Sequence, residues 1–128
     1  MIDIEKQIAH WRTGAEEDWQ VACHLIENEN LRHGLFFLHL SIEKVLKALI
    51  CRQTEDLAPR LHNLVRLAER ANIQPDAETL DTLADLNSFN IEGRYPDLYL
   101  PLPSFAEAKV YQKRAEELFQ WLLSRLAE

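Results

Sequence analysis

Cysteine, glycine and proline are all scarce, with two, three and five copies respectively in 128 residues. Neither Cys23 nor Cys51 has a second cysteine two or three residues away, which excludes a zinc knuckle and a redox pair. Both sit inside apolar helical patterns and are expected to be buried free thiols. So few turn formers do not suit a fold of many strands, and no segment alternates polar and apolar residues at strand period. Long hydrophobic runs are missing too. Val45-Leu46 and Ala48 to Cys51 fall far short of the roughly 20 apolar residues that span a bilayer, so no membrane helix is expected. The start, Met1 to Lys6, lacks the basic, apolar and small-residue pattern of a secretory signal, and a cytoplasmic location is expected. No metal-ligand or dinucleotide-binding spacing occurs, so neither a metal nor a cofactor is expected.

What is present is helical periodicity. Hydrophobic residues at 47% and charged residues at 27% give the balance of a globular chain, and the length suits one domain over residues 1–128 with one core. Ile4, Ile8, Trp11, Ala15, Ala22 and Ile26 recur at three- and four-residue steps and predict a first helix over 4–27, with Asp3 as its cap. Leu35, Leu38, Ile42, Val45 and Leu49 form the strongest stripe and predict a central second helix over 31–53. Pro59 suits a helix start and opens a third helix that ends near Asn72. Pro75 and Asp76 restart a fourth, which is expected to run out at Asn87 to Asn90, before Gly93. A long irregular connector holding Pro96, Pro101 and Pro103 follows. Ser104 and Glu107 have capping-box spacing and open a fifth helix ending near Leu126. The expected fold is all-α, an up-and-down antiparallel bundle of four to five helices. Trp11, Trp19 and Trp121 are assigned to its core or to a dimer face.

The net charge of −7 disfavours broad coating of nucleic acid. Between Glu43 and Arg70, however, six Lys or Arg face four Asp or Glu, so an anion site belongs in that segment. Several polar residues interrupt the apolar pattern. Asp18 falls on the first helix's stripe and needs a cation, either as an interhelical ion pair or as the wall of a polar pocket. His39, Glu43 and Lys47 share one face of the second helix at four-residue steps; a Glu to Lys pair at that spacing is usually a surface bridge, and a ligand site is the alternative. His62, with Asn63 beside it, is placed in the first turn of the third helix, where open amides favour either an anion or simple capping. In Gly93-Arg94-Tyr95-Pro96-Asp97, Arg94 offers a fork for phosphate and Tyr95 a face for a base; the alternative is a turn in which Arg94 pairs with Asp97 or Glu92.

Taken together, His33-Gly34-Leu35-Phe36-Phe37, the run Ile42 to Leu49, His62-Asn63-Leu64 and Arg94-Tyr95-Pro96-Asp97 resemble the HEPN domain family (higher eukaryotes and prokaryotes nucleotide-binding). The resemblance covers nearly the whole chain. It implies a helical bundle, usually homodimeric, often encoded beside a minimal nucleotidyltransferase in a two-part, toxin–antitoxin-like system. Many members are metal-independent RNases that carry a histidine four to six residues after an arginine. Here Leu98, Tyr99 and Leu100 follow Arg94 at that distance, and His62 is the last histidine in the chain. Cleavage through a 2′-hydroxyl needs a group that moves protons near neutral pH, which Arg94 cannot do. Nucleotide or RNA binding by Asp18, His39, Glu43, Lys47, His62, Arg94, Tyr95 and Asp97 is therefore the leading expectation. An RNase using Arg94 and His62, and a non-catalytic dimeric scaffold, are the alternatives.

Overall fold

Apolar residues at helical spacing must be buried against one another, and the described residues do so with five helices. The computed structural model describes residues 1–94 and 101–128, with residues 91–94 described by their backbone alone. Helix α1 spans Ile4–Glu27, α2 Leu31–Thr54, α3 Leu64–Arg70, α4 Ala77–Arg94 and α5 Phe105–Leu126; among the described residues there is no strand. Asp3 caps α1 by accepting from the Lys6 amide at 3.1 Å. The Asn28 side chain closes its other end by donating to the His24 carbonyl at 2.8 Å. A short turn, with Glu29 at φ 62°, then reverses the chain into α2.

Helix α2 lies at the centre and touches all four other helices. Leu35, Leu38, Ile42, Leu46 and Ile50 along it are essentially inaccessible to solvent, each stabilising the fold by roughly 1.5–3 kcal/mol. Its start presses closely on the end of α1: a Cβ on Gly34 would lie 2.6 Å from Ile26 Cγ1. At its far end the Arg52 guanidinium donates to the Leu126 carbonyl at 2.7 Å and so satisfies the last turn of α5. The Ser104–Glu107 capping box opens that helix as expected. All three tryptophans pack against the core, Trp19 stacking on Phe119 with ring centres 4.8 Å apart. Cys51 is buried, whereas Cys23 is only half-buried.

Two boundaries depart from the sequence expectation. The third helix begins at Leu64 rather than at Pro59, because Asn63 caps it from the Arg66 amide at 3.1 Å and the Asn87 side chain accepts from the Leu64 amide at 2.7 Å. The fourth helix runs on through Asn87–Asn90 and Gly93 to Arg94. The polar residues at 87 and 88 do not end it. Asn87 points at α3, Ser88 bonds the Asp85 carbonyl on its own helix, and Phe89 is buried. No described helix is long and apolar enough to cross a membrane.

Candidate functional site

The four-residue steps of α2 bring His39, Glu43 and Lys47 onto the face that meets the connector between α2 and α3. Glu43 and Lys47 were open to a surface reading, but their side chains are only 5% and 7% exposed. A carboxylate so buried must be met by donors. Lys47 Nζ donates to its Oε2 at 3.1 Å, and His62 Nδ1 lies 3.2 Å from both oxygens. His39 Nδ1 sits 3.7 Å from Oε1, while its Nε2–H donates to the His62 carbonyl at 3.0 Å. A carbonyl only accepts, so that bond puts a proton on Nε2 of His39. By the same logic the Glu43 carboxylate holds the proton on Nδ1 of His62, leaving the second nitrogen of that ring outside the contact. His62 is the most open of the four, its side chain 41% exposed.

Above this cluster the Lys47 ammonium lies over the Trp11 indole, 5.2 Å from the ring centre. Trp11, Gln7, Lys47, the Leu57–Arg60 connector and His62 wall an open recess of about 440 Å³, within the range of small-molecule sites. It combines an aromatic face, an amide, a guanidinium and an imidazole. A base can stack on such a face, and a phosphate can bind the donors beside it. Lys47 brings little free charge, since Glu43 neutralises it. Arg60, in contrast, forms no ion pair among the described residues.

Four of the expected site residues, His39, Glu43, Lys47 and His62, thus come together. Asp18 does not join them: it pairs with Lys44 Nζ at 2.7 Å, an ion pair between α1 and α2. The interhelical reading of Asp18 holds. Lys44 walls a second recess, of about 590 Å³, on another side of Trp11 with Lys6 and His10. His62 precedes the Asn63 cap instead of occupying the first turn of α3, so a helix-terminus argument does not apply to it. Arg94 is the last residue of α4 and its side chain is outside the described residues, as are Tyr95 and Asp97. Sequence reasoning missed Gln7 and Arg60 as wall residues and assigned Trp11 to packing alone. The one available signal was Trp11, a large aromatic residue near the edge of the α1 stripe. Among the described residues no group of three or more His, Cys, Asp or Glu is arranged to hold a metal ion.

Comparison with known proteins places this geometry in context. A family model described as HEPN domain matches residues 8–126. The crystal structure of TT1696 from Thermus thermophilus superimposes with a TM-score of 0.78 at 16% identity, covering 92% of this chain and 97% of that one. The crystal structure of ST0689, an archaeal HEPN homologue, gives a TM-score of 0.74 at 21% identity, covering 93% and 97%. At these identities the likeness concerns the fold. No curated protein matches.

Proposed function

The chain belongs to the HEPN domain family, and from that premise we propose that it is a nucleotide- or RNA-binding module whose site is the recess beside Trp11. Family membership supports a nucleotide- or RNA-related role in general. The observation that carries the local assignment is that Trp11, Arg60 and the Glu43-anchored His62 line one opening. In this reading the base stacks on Trp11 while Arg60 and His62 bind phosphate, and Glu43 fixes the His62 ring. Arg94 and Tyr95 add a second phosphate fork and stacking face. The module acts as a homodimer in the cytoplasm and as the partner of a minimal nucleotidyltransferase in a two-part, toxin–antitoxin-like system.

Calorimetric titration of ATP and short RNAs tests the site. Arg60→Ala should weaken binding by about 1.5–3 kcal/mol if the contact is charge-assisted, and Trp11→Leu by about 1–3 kcal/mol. Absence of binding by the unmodified protein, or binding by both variants as tight as that of the unmodified protein, refutes the assignment. Sedimentation of the pure chain tests the homodimer, and co-purification with an adjacent nucleotidyltransferase tests the partnership.

The Glu43–His62 contact favours one second reading, an endoribonuclease in which His62 moves the proton. A carboxylate on one imidazole nitrogen leaves the other able to accept or donate. RNA cleavage and growth arrest, both lost in His62→Ala, would select this reading over binding alone.

A further inference from the structure

Arg60 is followed along the chain by two more guanidinium groups that form no ion pair among the described residues. Arg66 and Arg70 lie on α3, both exposed, and neither forms an ion pair among the described residues. They are four residues apart, so their side chains emerge one above the other on the same helix face. Leu61, Arg66, Glu69 and Arg70 wall a shallow recess of about 330 Å³. The connector joins this surface to the first recess: Arg60 and His62 face the Trp11 opening, while Leu61 between them lines the α3 side. Leu61 stands between Arg60 and His62 in the chain, so both openings border the same connector segment. From Leu57 to Arg70 the chain carries three arginines and one acid, within a molecule of net charge −7.

Such concentration of like charge has a cost in self-repulsion, and a polyanion relieves it. A protein partner would need an apolar anchor. Leu57 is exposed within the Trp11 recess, but across the α3 surface, residues 61–70, no large hydrophobic side chain is exposed. Guanidinium forks without an apolar centre suit phosphate oxygens. We propose that Arg66 and Arg70 continue the Trp11 recess as a phosphate track, so that the ligand is a single-stranded polynucleotide whose end occupies the recess and whose backbone crosses α3. This rests on the nucleotide reading of the recess and narrows it to a polymer.

Binding of ATP, of oligouridylates two, four and eight nucleotides long, and of an octaglutamate peptide is measured by calorimetry over a range of salt concentrations. The full chain is compared with the Arg66→Gln/Arg70→Gln variant, whose changes are on the surface. The proposal expects affinity to rise with oligonucleotide length. It also expects the double variant to lose about 1.4 from the slope of log K against log salt for the eight-mer, two phosphate contacts at about 0.7 each, with ATP affinity unchanged. An eight-mer that binds no tighter than ATP, or a salt slope indifferent to the double variant, overturns it. Octaglutamate binding as tightly as the eight-mer overturns it as well. Arginine-dependent binding of the eight-mer without ATP binding that depends on Trp11 refutes the nucleotide recess but leaves the track standing.

Discussion

Replacing Glu43 by glutamine preserves the shape of the side chain and deletes its charge, leaving the buried Lys47 ammonium without its anion. Removing one partner of a buried pair costs about 3–5 kcal/mol. The lower end applies here, because Lys47 borders an open recess and keeps its position over Trp11. A surface pair at the same spacing would be worth only about 0.3–0.5 kcal/mol, so the experiment distinguishes the two environments. With a urea m-value of about 2 kcal/mol/M, a loss near 3 kcal/mol moves the unfolding midpoint down by about 1.5 M. Because total stability is about 5–15 kcal/mol, the variant should still fold. Adding Lys47→Met removes the stranded charge and should recover at least half the loss, a coupling that the double-mutant cycle isolates. A cost below about 1 kcal/mol for Glu43→Gln, or no recovery in the double variant, would refute a buried pair.

Three other perturbations have defined outcomes. Gly34→Ala gains about 1 kcal/mol of helix propensity, yet its Cβ would meet Ile26 Cγ1 at 2.6 Å and the Ile26 amide nitrogen at 3.1 Å. Overpacking should win by about 1–3 kcal/mol and lower the midpoint of thermal unfolding; an unchanged midpoint would contradict the close approach. Hydrogen bonds from the backbone amides of Thr79 and Ser104, then from those residues' side chains, hold the Asp76 and Glu107 carboxyls below their ordinary values. That contribution is present above the unfolded-state values of about 4 and is lost as pH falls through the folded ones. Asp76→Ala and Glu107→Ala should therefore lower stability by a constant amount above about pH 4 and flatten the acid limb, while the slope of the alkaline side stays the same. Burial pushes both thiols up, and only Cys51 is fully enclosed. Mass spectrometry after iodoacetamide treatment of native protein should find Cys23 modified before Cys51, and the reverse order would contradict the packing.

The parts of this molecule that could be read from sequence are those set by local chemistry. Asp3 before Ile4, and Ser104 with Glu107, fixed the openings of α1 and α5 because a cap bonds amides within its own turn. The apolar stripe of α2 identified the central helix. The misplaced boundaries are those set by distant partners. Pro59 resembles a helix opening, but the His62 carbonyl is engaged by His39, 23 residues earlier, and helix formation waits for Asn63 and Asn87. Asn87 and Ser88 resemble terminators until Asn87 is seen bonding across to α3. Within the site, four-residue spacing put His39, Glu43 and Lys47 on one face, but spacing is identical for a buried and an exposed helix face. Burial, and with it the attachment of His62 to Glu43, arises only when the connector folds back. The contribution of Arg60 and Gln7 depends on the same packing and has no local signature.

The most direct test of the account is the response of individual resonances in isotopically labelled protein to ATP. A ligand in the recess should shift the Trp11 indole and the amides of Ala58, Arg60 and His62 saturably, while the indole of Trp19, stacked on Phe119, and that of Trp121 on α5 remain in place. No saturable shift at millimolar nucleotide, or shifts centred on Trp121, would contradict a nucleotide site beside Trp11.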